Sequence, residues 1–173
     1  AALSLGLLDT LRSVFDTRGP VIMFPSSGTG GCEAALVNTL SPGDHVLIAE
    51  TGWFSQKAWR QVAERIGLSV EYMPGDWRHG ASPVEIEARL REDRAHTIKA
   101  VAVVHNESST GVTSRLVDVR RAIDRAGHPA LFLVDALSSV GSIEYHHDAW
   151  GVDVTVGASQ KGLMLPPGLS FNA

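Results

Sequence analysis

Residues 98–135 read IKAVAVVHNESSTGVTSRLVDVRRAIDRAGHPALFLVD. Ile98 to Val104 is a strongly apolar run, broken only by Lys99. Such a run suits a strand covered on both faces rather than one that alternates between core and water. Leu116 to Ala126 carries helical spacing and stops at Gly127, a residue suited to the position just past a helix end. Leu131 to Val134 is apolar again and ends on Asp135. Strand, helix and strand in this order need a crossover, which makes the two strands parallel.

The same alternation extends outward in both directions. Leu7, Leu8, Leu11, Val14 and Phe15 give Leu3–Thr17 a helical face, and Val21–Phe24 is a short apolar run. Thr29–Leu40 reads as a helix closed by the turn residues Ser41-Pro42-Gly43-Asp44. His45–Ala49 is a buried-strand candidate, Phe54–Ile66 an amphipathic helix stopped by Gly67, and Leu68–Met73 a strand. Ser82-Pro83 opens the next helix, with Ser82 as N-cap, Pro83 in the first position and Glu85 three residues after the cap. Val152–Val156 is a further strand, and Leu169–Ala173 reads as the start of another. The expected architecture is α/β: three layers, helices on both faces of a mainly parallel sheet.

Composition bounds the function. The chain has 173 residues, of which 44% are hydrophobic and 20% charged, an ordinary globular balance. The net charge is -4 with no block of like charges, which argues against nucleic-acid and membrane-surface partners. No apolar run approaches the roughly 20 residues of a membrane span. Cys32 is the single cysteine, so neither an intramolecular disulfide nor a cysteine-rich zinc site is available. His146-His147 lacks the one-face spacing of a helical metal pair, and no metal is expected. The chain lacks an initiator Met and a signal-peptide pattern, and both ends suggest a piece of a larger domain.

In open α/β sheets ligands sit beyond the carboxyl ends of the strands. Four such ends carry chemistry. Pro25-Ser26-Ser27-Gly28-Thr29-Gly30-Gly31 leads into a helix start that offers N–H groups and hydroxyls to an anion; it equally reads as a simple Ser/Thr cap. His105-Asn106-Glu107-Ser108-Ser109-Thr110-Gly111 follows the most apolar strand and reads as a site rim, with His105 a satisfied structural histidine. Asp135 ends a buried strand, where a carboxylate needs a partner; Ser138 or Ser139 could supply it, or a cationic ligand. Lys161 is one of three lysines, against twelve arginines, and sits in Gly157-Ala158-Ser159-Gln160-Lys161-Gly162. There it is either a surface lysine or an amine nucleophile in a partly desolvated pocket. Trp53 and Phe54 follow another strand, and one of these aromatics could cover a planar ligand.

Together these features are the set that pyridoxal phosphate needs: an anion cradle, a flat cover, a buried carboxylate for the ring nitrogen and a lysine for the aldehyde. The chain resembles the class V branch of fold-type I pyridoxal-phosphate aminotransferases, most of all the serine–glyoxylate and alanine–glyoxylate group. The segments that carry the resemblance are Ser26–Gly30 with Glu33–Leu36, His105–Val112, Leu133–Asp135 and Gly157–Leu163. Leu163–Gly168 and Pro74–Gly80 are similar to the serine–glyoxylate subgroup in particular.

The resemblance implies roles. Lys161 would form the Schiff base and shuttle the substrate proton, and Asp135 would pair with the ring nitrogen. Ser27, Gly28 and Thr29 would hold the phosphate, with Gln160 in reach. Phe54 would stack on the ring where relatives often carry Trp or His, Leu137 would pack on the opposite face, and Ser108 would lie near the ring hydroxyl. The implied reaction moves an amino group from serine, or alanine, to glyoxylate and gives glycine and a 2-oxo acid. Residues 1–173 would be an incomplete large domain of a cytoplasmic homodimer, without the small domain whose arginine binds the substrate carboxylate, and would be inactive alone. A cysteine desulfurase or lyase of the same class, or a non-catalytic module of this fold, are the competing expectations.

Overall fold

A computed structural model describes residues 2–173. In chain order the elements are α1 (Ala2–Phe15), β1 (Ile22–Phe24), α2 (Gly28–Thr39) and β2 (His45–Ala49). A π-helical turn (Ser55–Arg60) then runs directly into α3 (Gln61–Arg65). There follow β3 (Ser69–Met73), α4 (Pro83–Glu92), β4 (Ile98–Val104), α5 (Leu116–Ala126), β5 (Leu131–Asp135), β6 (Val154–Ala158) and β7 (Ser170–Asn172). The seven strands form one sheet in the order β1-β7-β6-β5-β4-β2-β3. The pairs β3–β2, β2–β4, β4–β5 and β5–β6 are parallel. Strand β7 runs antiparallel between β6 and β1.

The burial of β4 and β5 explains their unbroken apolar sequence. Val101, Val103, Phe132 and Val134 pack on one face of the sheet with Leu11 and Phe15 of α1, Ile86 and Leu90 of α4, and Val119 and Ile123 of α5. Ala100, Ala102, Val104 and Leu133 pack on the other with Cys32 and Leu36 of α2, Trp59, and Val62 of α3. Both faces of the central strands are therefore dry, which is the three-layer α/β/α arrangement. Gly127 ends α5 with φ 62, a left-handed backbone that glycine adopts without steric cost. The Ser82 hydroxyl accepts the Glu85 N–H at the start of α4, and Pro83 occupies the first turn.

The first helix ends at Phe15 rather than Thr17, several other bounds differ by one residue, and two elements differ in ways that bear on the site. The helix expected over Phe54–Ile66 opens as a π-turn, and that wide turn puts Ser55, Ala58 and Trp59 inside together. The strand expected at Val152–Val156 is Val154–Ala158. Val152 is turned away, its N–H donating to the His147 carbonyl, and Asp153 meets β5 at Phe132, its N–H donating to the Phe132 carbonyl while its carboxylate accepts the Phe132 N–H. The shift by two residues places Ser159, Gln160 and Lys161 immediately beyond the strand's carboxyl end. No helix among the described residues is long and apolar enough to cross a membrane.

Candidate active site

One cavity lies at the carboxyl ends of β4, β5 and β6. It is lined by Phe54, Val104, Asn106, Ser108, Asp135, Leu137, Ser138 and Lys161. The topology brings these groups together although they span more than a hundred residues of sequence. Val104 ends β4, Asn106 forms an isolated bridge with Thr113, and Ser108 lies in the turn that follows; all three line the cavity. From sequence, Asn106 is placed only within the rim segment and Ser138 only as a partner for Asp135; neither is named as a residue facing the ligand. The Ser108 and Ser138 hydroxyls are hydrogen-bonded to each other.

Asp135 is 4% exposed, and its Oδ1 accepts the Leu137 N–H at 2.9 Å. The partners expected for it, Ser138 and Ser139, do not fill that role: the Ser139 hydroxyl donates to the Ala136 carbonyl. Burial pushes the Asp135 carboxyl up to about 7. The Leu137 N–H opposes that rise, the Glu107 charge adds to it, and the Lys161 charge opposes it. A carboxyl so placed has one amide donor and room beside it for a cation.

Lys161 lines the same cavity yet is exposed, so of the two readings offered for it, a surface lysine or an amine in a partly desolvated pocket, these residues alone do not form the second. Gln160, next to it, holds a buried Oε1 with no hydrogen-bond partner among the described residues. Helix α2 starts with Ser27 at the N-cap, but the Ser27 side chain makes no capping bond. The simple-cap reading of this stretch therefore fails, and the first-turn N–H groups remain available to another acceptor. Ser27 and Thr29 are exposed and Gly28 is buried. A Cβ on Gly28 would lie 1.7 Å from Leu137 Cδ2, so a larger residue here would displace the Leu137 side chain from the cavity wall.

Phe54 is half-buried on the cavity wall, whereas Trp53 is 46% exposed and is not among the lining residues. Between the two aromatics, Phe54 is the one placed to cover a planar ligand. His105 points to the opposite face of the sheet and packs against Tyr145 and Trp150 at ring-centroid distances of 5.5 Å. It is not the satisfied histidine expected: its buried Nδ1 has no partner among the described residues, and burial lowers its pKa to about 4. His146 is engaged by Asp16 at 2.6 Å and Glu144 at 2.9 Å, and His147 by Thr155 at 2.7 Å. Cys32 is fully buried on α2 and packs in the core.

Asp135, Phe54 and Lys161 share this cavity; Ser27, Gly28, Thr29 and Gln160 are not among its lining residues, although Gly28 sits against Leu137 of the wall. A buried carboxyl, a flat aromatic wall and a primary amine on one space, with an uncapped helix start behind Leu137, fit pyridoxal phosphate.

Comparison with known proteins agrees with the geometry. Residues 9–171 match the family described as Aminotransferase class-V. The chain is 52% identical over 169 residues to the serine–glyoxylate aminotransferase of Methylorubrum extorquens, covering 97% of this chain and 42% of that protein. It is 49% identical over 155 residues to the L-aspartate–glyoxylate aminotransferase of Paracoccus denitrificans, covering 90% of this chain and 39% of that protein. Among solved structures, the alanine–glyoxylate aminotransferase of Nostoc sp. superposes with a TM-score of 0.90 at 34% identity, covering 99% of this chain and 44% of that one. The chain thus spans about two fifths of the length of the relatives it matches.

Proposed function

Because the chain belongs to the class-V aminotransferases, we propose that its cavity binds pyridoxal phosphate and that the whole protein transfers an amino group from an amino acid to glyoxylate. The observation that carries this reading is the convergence of Asp135, Lys161 and Phe54 on one space at the sheet's carboxyl edge. When bound, the cofactor supplies an electron sink for negative charge at the amino acid's Cα.

The residues divide the work. The first turn of α2, with Ser27, Gly28 and Thr29, holds the phosphate through N–H groups, hydroxyls and the positive end of the helix. Gln160 adds its amide to the same anion. Asp135, ionised once a cation lies beside it, pairs with the protonated ring nitrogen; its buried setting makes that pairing strong. Phe54 and Leu137 enclose the ring and exclude water, and Ser108 with its partner Ser138 faces the ring hydroxyl. Lys161 would hold the cofactor's aldehyde end, and its Nζ would take the proton from the substrate Cα as general base. None of the cavity-lining residues is an arginine, so we assign the substrate carboxylate to an arginine elsewhere in the protein. The whole protein is proposed to act as a homodimer.

Serine is the proposed donor, on the similarity to the Methylorubrum protein. Aspartate is the second reading, favoured by the similarity to the Paracoccus protein. Assaying the full-length protein with serine, aspartate and alanine in turn, each with glyoxylate, tests both. Glycine formation fastest with serine supports the first reading and fastest with aspartate the second. Glycine formation from none of the three rejects glyoxylate transamination.

A further inference from the structure

Glu107 is completely buried, and no ion pair to a cation neutralises it among the described residues. Its charge is met by donors instead. Both carboxylate oxygens accept the Phe54 N–H at 3.2 Å, and Oε2 also accepts the Ser55 N–H at 3.2 Å. Oε1 accepts the Ser109 N–H at 3.1 Å and the Ser109 hydroxyl at 2.7 Å. The Ser109 hydroxyl oxygen in turn accepts the Trp53 N–H at 2.9 Å. Three successive backbone N–H groups, those of Trp53, Phe54 and Ser55, are thus fixed by Glu107 and Ser109. A Cβ at Gly52 would lie 2.5 Å from Glu107 Cγ, so the chain can pass this close to the carboxylate only at a glycine.

A buried anion without a cation is costly unless every lone pair is used. Burial here has a purpose that core packing would not require. The loop fastened by Glu107 carries Phe54, the aromatic wall of the cavity, and the residue after Glu107 is Ser108, on the same cavity. We propose that Glu107 is a positioning residue: its carboxylate holds the Phe54 backbone so that the ring stands over the cofactor site. The inference rests on the cofactor reading given above.

A double-mutant cycle on the full-length protein tests it, read as the dissociation constant of pyridoxal phosphate and as the visible circular dichroism of the bound cofactor. Glu107→Gln keeps the shape but cannot accept all the N–H groups. It is expected to weaken cofactor binding about tenfold, roughly what one lost charge-assisted contact supplies, and to reduce the dichroism. Phe54→Ala is expected to do the same, and Glu107→Gln in the Phe54→Ala background to cost nothing more. Independent, multiplying losses, or an unchanged dissociation constant and dichroism in Glu107→Gln, overturn the proposal. If Glu107→Gln does not fold, Ser109→Ala, which frees the Trp53 N–H and removes a donor to Glu107, enters the same cycle with the same two outcomes. Failure of the wild-type protein to bind the cofactor at all is a different result and refutes the cofactor reading itself.

Discussion

At the scale of single residues, Asp135 concentrates the consequences of burial. With its carboxyl raised to about 7 by burial in the cofactor-free protein, the folded state keeps a proton that the unfolded chain gives up near pH 4. The sign follows directly: this residue's contribution is fully present below about pH 4, falls as pH rises and is gone above about pH 7. Asp135→Asn is expected to remove that slope. The stability difference between Asp135→Asn and wild type, measured by denaturant unfolding of the cofactor-free protein, should grow in favour of the variant by up to roughly 4 kcal/mol between pH 4 and 8. The same variant should lose most transamination, because a neutral amide cannot keep the ring nitrogen protonated. Asp93, at the other end of the sheet, has the opposite sense. Burial alone would raise its carboxyl, but the N–H groups of Ile98 and Thr97, the Thr97 hydroxyl and His128 more than offset it and hold it below the usual range. Its contribution is present above about pH 4 and is lost on acidification. Asp93→Asn should therefore lower the melting temperature at neutral pH and converge on wild type in acid.

At the scale of elements, strand β6 shows what the sequence made legible and what it did not. That a strand precedes Lys161 follows from the apolar run before Gly157, but its start does not. Val152 and Val154 are equally apolar, and the choice between them is made by Asp153, whose carboxylate takes the Phe132 N–H. Likewise the spacing of apolar residues marks the helix after β2, while the π-turn at its start, where the Phe54 and Ser55 N–H groups donate to the distant Glu107, has no local signal. The antiparallel sense of β7 is also a tertiary property, since a three-residue strand carries no directional signal. Phe54, Ser108, Asp135, Leu137 and Lys161 were legible as cavity residues because each follows a strand end and carries its own chemistry; the cavity places of Asn106 and Ser138 were not, because polar residues in loops have no distinguishing mark. Strand β6 also yields a stability prediction. A Cβ at Gly157 would stand 2.7 Å from Phe15 Cζ, where α1 crosses the strand. Phe15 is fully buried and cannot swing away without opening the core. Gly157→Ala should destabilise the protein by about 1–3 kcal/mol, read in its denaturant midpoint, with cofactor binding to the folded fraction retained.

At the scale of the whole molecule, the sheet acts as a frame with a working edge. Loops at the carboxyl ends of its parallel strands deliver an aromatic, a carboxylate and an amine to one cavity, with the start of α2 against its wall at Leu137, as the strand order of an open α/β sheet allows. The opposite edge is tied by contacts such as Asp93 with His128 and serves stability. The chain has three lysines, Lys57, Lys99 and Lys161, and only Lys161 lines the cavity. The most direct test of the account is to load the full-length protein with pyridoxal phosphate, fix the cofactor to its lysine by borohydride reduction and map the modified peptide. The expected result is one phosphopyridoxyl group on Lys161, with Lys57 and Lys99 unmodified. A stoichiometric label on any other lysine, or no label on a protein that binds the cofactor, would contradict it.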